Sequence, residues 1–285
     1  MGLFSFLSRT GENPGPFEGL SADSSAILST PFSDGVSVTA SKTFSKNFQI
    51  MHSFGMGQGT NYNMTALYAG DRSMLQGSVD NGGNVSGRVN VVPTEHVSLK
   101  AAFEMDAASG GLNLRGDVDL AGADFNLNSM YSTQGDLVSV GYLQNVTSSV
   151  AVGGEGLYIG AKRMSLLALG ARHSTPVTSA SVTVNSQRTG AVALAAAVSA
   201  NSRAAVKLSV DSRSWQTDAV AGIQVNYPRA VVKATLGTKG RVSTTVKARR
   251  YHHVLSPGVA VEIMGGGDWK KGQARCGVGV RLSSV

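Results

Sequence analysis

The chain has 285 residues, with 25 lysines and arginines against 18 acids, a formal charge of +7. Glycine is 35 of these residues, nearly twice the roughly 7% of ordinary proteins, while charged residues are only 15% against roughly 25%. That profile excludes disorder, which needs few apolar residues and high charge; collagen, because the glycines have no three-residue period; and a disulfide scaffold, because Cys276 has no partner in the chain.

The basic excess suits a nucleic acid, an anionic membrane or anion passage. No stretch approaches the ~18 apolar residues of a membrane-spanning helix; the longest apolar run is 191–198. Residues 1–35 read as an N-terminal segment holding three of the seven prolines, with no basic stretch ahead of an apolar run and hence no secretory-signal pattern. Within it, 19–30 is Ser-rich and a weak helix former, with Ser21 or Ser24 as the available caps.

From residue 36 to 285 the texture is uniform: short alternating runs broken by Gly, Asn, Asp and Ser. Alternation at period two is the strand signal, because successive side chains leave opposite faces. The first nine runs are 36–43, 48–57, 62–69, 73–80, 83–92, 97–106, 111–120, 123–132 and 137–146. The other ten are 148–159, 163–173, 179–187, 190–200, 203–211, 215–226, 230–238, 241–250, 257–264 and 273–283. In 97–106, Val97, Leu99, Ala101, Phe103 and Met105 alternate with Ser98, Lys100, Ala102, Glu104 and Asp106. Alternation is weakest in 163–173 and 190–200.

Nineteen runs with short connections describe either a soluble sandwich or repeat, or a closed barrel. A sandwich would fill two inner faces with bulky side chains. Here the apolar faces are Val, Ala, Gly and Leu, and the opposite faces carry charge. Run lengths near ten match strands that cross a bilayer, apolar outward and polar inward. The expectation is an all-β transmembrane β-barrel of about nineteen strands, with the N-terminal segment, helical or extended, in the lumen. An odd count is the mitochondrial kind of barrel; bacterial single-chain barrels have even counts.

The parity gives a two-sided lumen. An acidic wall takes Glu104, Asp106, Asp117, Asp119, Asp124 and Glu155, with Lys100 and Arg115 among them. A basic wall takes Arg203, Lys207, Lys233, Arg241, Lys247, Arg249, Arg275 and Arg281, with Asp211, Asp218 and Glu262 among them. Such a split suits a large substrate with its own charge pattern. The simpler reading is that the charges only keep a polar interior wet.

Other constellations lead nowhere. The five histidines have no zinc spacing, and His252 with His253 falls in an expected loop. No nucleophile elbow or phosphate loop is present, and Gly55, Gly57 and Gly59 precede no helix pattern, so they read as a hairpin turn. No basic stripe is interleaved with aromatics, so no nucleic acid is expected as a partner. No two carboxylates stand out for acid–base work, so an enzyme is not expected, and no cofactor or metal.

Several segments resemble one family, the channel-forming subunit of the translocase of the outer mitochondrial membrane, a eukaryotic-porin-type barrel. Asn13, Pro14, Gly15, Pro16, Phe17 and Glu18 resemble its motif ahead of the inner helix. Lys46–Ile50 with His52 and Ser53, Gln76–Asn81 with Val85–Arg88, and Ala123–Phe125 resemble strand segments. Tyr142–Thr147 followed by Ala151–Glu155 is the most specific pair. The last run resembles the family's end, and Arg275, Gly277, Val280 and Leu282 fit the sorting signal of mitochondrial barrels. The resemblance implies nineteen strands, a parallel first–last pairing and passage of unfolded precursor polypeptides from cytosol to intermembrane space. It implies small single-span helical subunits, a receptor subunit, outer-membrane lipids and further copies of the chain as partners, with the acidic wall guiding basic presequences. The alternative is a metabolite pore of the voltage-dependent anion channel type, and from another class a soluble β-rich structural protein.

Overall fold

The computed structural model describes residues 13–29, 35–57, 59–250, 258–268 and 273–284. The first half of the sheet contains β1 (Gly35–Ser45), β2 (Phe48–Met56), β3 (Thr60–Ala69), β4 (Ser73–Asp80), β5 (Val85–Thr94), β6 (Val97–Met105), β7 (Leu112–Ala121), β8 (Phe125–Ser132) and β9 (Leu137–Asn145). The second half contains β10 (Val150–Ile159), β11 (Met164–Ser174), β12 (Thr178–Asn185), β13 (Thr189–Ser199), β14 (Ser202–Asp211) and β15 (Gln216–Asn226). It ends with β16 (Ala230–Gly237), β17 (Arg241–Arg250), β18 (Gly258–Asp268) and β19 (Gln273–Ser284). Each strand pairs antiparallel with the next, and the sheet closes where β1 pairs parallel with β19, Gly35 opposite Gly277 through Lys42 opposite Ser284. Closure leaves no strand edge, which is what a sheet surrounded by hydrocarbon requires. A parallel seam is forced by the odd count: an alternating meander of nineteen strands brings first and last together in the same direction.

The register fixes which face each residue takes. Leu143, fully buried, packs against Phe17 inside the barrel, so odd positions of β9 face inward. Directly opposed residues share a face, and the assignment propagates strand by strand. Outward positions are mostly apolar or small, including Val118, 40% exposed, and Val206, 48% exposed; His52, Gln144 and His173 are polar exceptions. Side chains of that exposure on a water-soluble surface would leave a continuous apolar belt. Lys42, near the end of β1, is the one charged side chain described at an outward strand position, and its ammonium lies 5.2 Å from the Phe44 ring centre.

Inside lies a short N-terminal element: a 3-10 turn, Phe17–Ser21, followed by α1 (Ala22–Leu28). Its own propensity is poor and no side chain caps either piece; Ser21 stands at the N-cap of α1 without a capping hydrogen bond. Packing on the wall holds it instead, the usual way a short helix is stabilised. Phe17 and Leu20 meet Leu143, Ala151 and Ala168, while Ile27 and Leu28 meet Ala195 and Ala205.

The strand runs read from sequence overlap these nineteen, with shifts of up to four residues at the ends. The largest shift is in β18, which continues to Asp268 through Gly265, Gly266 and Gly267, a stretch without the side-chain alternation that marks a strand. His252 and His253 lie outside the described residues, as does Pro257.

Candidate functional site: the lumen

Two mouths follow from the topology. β1 begins at one, the near mouth; β1–β2, β7–β8 and every such turn lie at the other, the far mouth. At the far mouth the Asn13 amide donates to the carbonyl of Gly122 in the β7–β8 turn at 2.8 Å, while its oxygen accepts the Gly15 N–H at 2.8 Å. From there the described segment runs inside the lumen round the wall from β9 to β16.

Two cations hold its backbone. The Arg172 guanidinium on β11 donates to the carbonyl of Pro14 at 2.8 Å, and the Lys233 ammonium on β16 donates to the carbonyl of Ala26 at 2.7 Å. The second bond satisfies a carbonyl in the last turn of α1, where the helix has no partner of its own and cations are favoured. Glycines make room for the seat. A Cβ on Gly170 would stand 3.2 Å from the Phe17 ring, and one on Gly222 would stand 3.0 Å from the Leu28 Cδ2. Among the described residues the segment packs mainly on β9 to β16, and the inner faces of β1 to β8 and of β17 to β19 are largely uncovered.

The acidic sector sits on β6, β7 and β10. Glu104, Asp117, Asp119 and Glu155 all face inward, with Lys100 and Arg115 among them. Asp119 is paired with Lys100 and bonded by Asn128, Asp117 takes Arg115 at 3.0 Å, and Glu155 accepts the Ser139 hydroxyl at 2.6 Å. The segment adds Glu18 and Asp23 and no base between residues 13 and 29. Glu18, Glu155 and Lys207 line a cleft of about 380 Å³ beside it.

Two residues expected on this wall are elsewhere. Asp106 follows β6 and folds into the β6–β7 turn, accepting the Ser109 hydroxyl at 2.7 Å and the Ala108 N–H at 3.0 Å. The Ser109 hydroxyl and the Ala108 amide hold its carboxyl below the usual aspartate range. Asp124 sits in the β7–β8 turn, 3.3 Å from the Gln144 amide. Both reflect the habit of aspartate to bond backbone amides or neighbours where strands end.

On the other side Arg203, Lys207, Lys233, Arg241, Lys247, Arg275 and Arg281 take inward positions. Lys247 pairs with Glu262 at 3.3 Å, and Asp218 turns toward Lys239 at 3.2 Å. Position 249 continues the inward parity of β17, but its side chain lies outside the described residues. Of the C-terminal pattern, Arg275 and Gly277 face inward and Val280 and Leu282 outward. Arg88 and Arg172 also face inward, and neither is on the wall as read from sequence. The signal for Arg172 was present: Leu166, Ala168, Gly170 and Arg172 share one face, but the small residues blur the alternation.

Comparison with known proteins follows the same outline. The profile of the eukaryotic porin family matches residues 13–277. The chain is 26% identical over 290 aligned positions to a protein of Xenopus tropicalis named mitochondrial import receptor subunit TOM40 homolog, covering 95% of this chain and 84% of that one. It is 32% identical over 160 positions to mitochondrial import receptor subunit TOM40 of Saccharomyces cerevisiae, covering 51% of this chain and 41% of that one. Among solved structures, a porin variant of Rhodopseudomonas blastica superposes with a TM-score of 0.51 at 7% identity, covering 81% of this chain and 95% of that one, which is a likeness of fold alone.

Proposed function

The chain belongs to the eukaryotic porin family, and on that premise we propose that it is a protein-conducting channel of the outer mitochondrial membrane, passing unfolded precursor proteins from the cytosol to the intermembrane space. The observation that carries the cargo is the agreement along 95% of the chain with a protein named as a mitochondrial import receptor subunit, because a porin fold by itself does not choose between solutes. The chain is a multi-pass β-barrel of that membrane. Its work is passage, and no residue is assigned a chemical step.

The lumen supports this reading physically. An extended polypeptide presents its own backbone groups and alternating side chains, and the open inner face of β1 to β8 offers a polar surface along its length. A basic presequence meets Glu104, Asp117, Asp119 and Glu155 on the wall and Glu18 and Asp23 on the segment. Exposed ion pairs are worth about 0.2–1 kcal/mol each, so the contacts guide without trapping. The bases of β14 to β19 oppose them, so a chain with both signs of charge finds a complementary side. Precursor polypeptides, small single-span helical subunits, a receptor subunit, outer-membrane lipids and further copies of the chain are the partners of this reading.

The test is planar-bilayer conductance of the refolded protein with and without a basic amphipathic presequence peptide. Voltage-dependent block at nanomolar to micromolar peptide, absent with a scrambled neutral peptide, is the expected result. Glu104→Gln with Glu155→Gln is expected to weaken that block several-fold. Open channels that ignore the peptide and prefer small anions would assign the chain to the metabolite pores of its family.

A further inference from the structure

We propose that four successive turns at the near mouth form a docking arc for the phosphate headgroups of anionic phospholipids in one leaflet. The proposal rests on the reading of the chain as a membrane barrel. The turns join β10 to β11, β12 to β13, β14 to β15 and β16 to β17. They carry Lys162 and Arg163, then Arg188, then Arg213, then Lys239, all exposed. Their described turns at the far mouth, 146–149, 175–177, 200–201 and 227–229, hold one charged residue, Arg229, while β17 ends there in Arg249 and Arg250. Among the described turns this wall thus has five bases at one mouth and one at the other.

The backbone gives a second, independent observation. Arg163, Arg188 and Trp215 adopt left-handed φ of 47°, 63° and 51°. Only glycine, asparagine and aspartate take that region without appreciable cost. The neighbouring turn between β16 and β17 uses Gly240 at φ 91°, and the one between β8 and β9 uses Asp136 at φ 48°. Three turns in a row therefore keep two guanidinium groups and an indole where a glycine would be less strained. Strain of this sort is retained where the side chain has a task. Trp215 is 81% exposed.

The turns are also tied together. The Ser212 N–H and hydroxyl donate to the Arg188 carbonyl at 3.0 and 2.8 Å, which sets the Arg188 and Arg213 turns side by side. Of the acids nearby, Asp136 lies in the β8–β9 turn, its carbonyl accepting the Gly160 N–H at 2.9 Å, and two others are engaged. Asp211 accepts the Arg213 N–H and the Ser214 hydroxyl at 2.9 Å each, and Asp218 pairs with Lys239. Lys162, Arg163 and Arg188 form no ion pair among the described residues.

Lipid fits this arc better than an acidic protein does. Directly along the wall lie Leu167, Leu169, Val184, Val192, Leu208 and Leu236, all exposed and apolar. Acyl chains followed by phosphate present that same order along the bilayer normal. The turns hold three or four residues, which keeps the bases at headgroup depth. An exposed tryptophan beside bases is the composition of a membrane interface.

The test uses full-length protein in phosphatidylcholine vesicles, with W269F leaving Trp215 as the single tryptophan; Trp269 lies outside the described residues. Brominated phosphatidylglycerol and brominated phosphatidylcholine are compared as quenchers at equal mole fraction. The expected result is a preference for the anionic lipid of about threefold or more. It should fall to unity at high salt and in R163N/R188N/R213Q, whose asparagines accept the left-handed backbone, with barrel heat-resistance unchanged. Equal quenching by both lipids, or a preference that survives the triple substitution, would overturn the proposal. So would a shift of Trp215 emission by soluble polyglutamate without any lipid preference, which would assign the arc to an acidic protein. A W215F/W269F/V206W protein separates the two levels of the argument. If bromines at mid-chain quench it, the barrel is inserted and only the arc is at stake; if they do not, the membrane reading itself fails.

Discussion

Replacing Phe17 tests whether the N-terminal segment is a fixed part of the lumen. Phe17 is 6% exposed and packs on Leu20, fully buried Leu143 and Ala151. Phe17→Ala removes roughly 100 Å² of buried apolar surface, or about 2–3 kcal/mol at 25 cal/mol per Å². That lies at or below the about 3–5 kcal/mol of a Phe→Ala change in a closed core, as expected for a seat with water on one side. The barrel's own hydrogen-bonded wall is untouched, so the loss falls on docking. At 1.4 kcal/mol per decade the docked-to-undocked ratio drops about 30- to 150-fold. Single-channel recording in a planar bilayer reads this directly: a segment that leaves its seat and returns modulates the open current. Phe17→Ala is expected to raise open-state noise and add conductance levels, while Ala22→Ser, at an exposed position of the same helix, leaves both as they were. If deleting residues 13–28 changes the current and Phe17→Ala does not, the seat described here does not hold the segment.

Four further outcomes are expected. Gly170→Val puts a branched side chain where even a Cβ would stand 3.2 Å from the Phe17 ring, and should give the same unsteady current with Phe17 intact. Arg172→Gln and Lys233→Ala each remove a charged bond to the segment's backbone, worth about 1 kcal/mol at a partly solvated site, and should give a milder version of that noise. Val118→Asp or Val206→Asp places a carboxylate in the apolar belt and should block assembly into membranes, whereas Lys207→Gln or Asp117→Asn should assemble and alter only conduction; equal assembly of both classes would refute the facing assigned to these strands. Asp106 titrates below the usual aspartate range because its native turn binds the charged form, so the turn's support is present above the ordinary carboxylate pKa and is lost as pH falls through the depressed one. Hydrogen-exchange protection of the Ala108 amide should fall in that acid window, and Asp106→Ala should abolish the dependence.

Much of the barrel was legible because its strands obey one rule. Val118 and Asp117 are adjacent and face opposite media, and period two records that directly. What failed, failed where the rule has no purchase. Asp106 and Asp124 continue the polar spacing of their runs, but aspartate is as much at home in a turn, and sequence alone does not say where the strand stops. Arg172 was hidden because its face is otherwise Ala168 and Gly170, made small to admit Phe17. The cause of that smallness lies more than a hundred residues away. The helix at Ala22–Leu28 was illegible for the same reason, since wall contacts rather than local propensity hold it. The left-handed turns at Arg163, Arg188 and Trp215 gave no sign, because arginine and tryptophan are not turn-formers by composition.

The strand count and the inner segment belong to one argument. In an even-stranded meander both ends of the sheet reach the same mouth. With nineteen strands and a parallel seam, β1 starts at the near mouth and β19 ends at the far one. Asn13 nevertheless bonds Gly122 at the far mouth, the side where β19 finishes, so the described segment, residues 13 to 29, lies inside the lumen ahead of β1. A segment with that route must lie along the wall, and the wall must accommodate it. Gly141, Gly170 and Gly222 lie beneath it, Arg172 and Lys233 bond its carbonyls, and its two acids, Glu18 and Asp23, are exposed. The strands it covers carry Arg172, Arg203, Lys207 and Lys233 with Glu155; the strands beside them carry bases on β17 to β19 and acids on β6 and β7. An odd barrel that holds its own amino-terminal segment therefore has an asymmetric bore, with a side of each charge to offer an extended polypeptide.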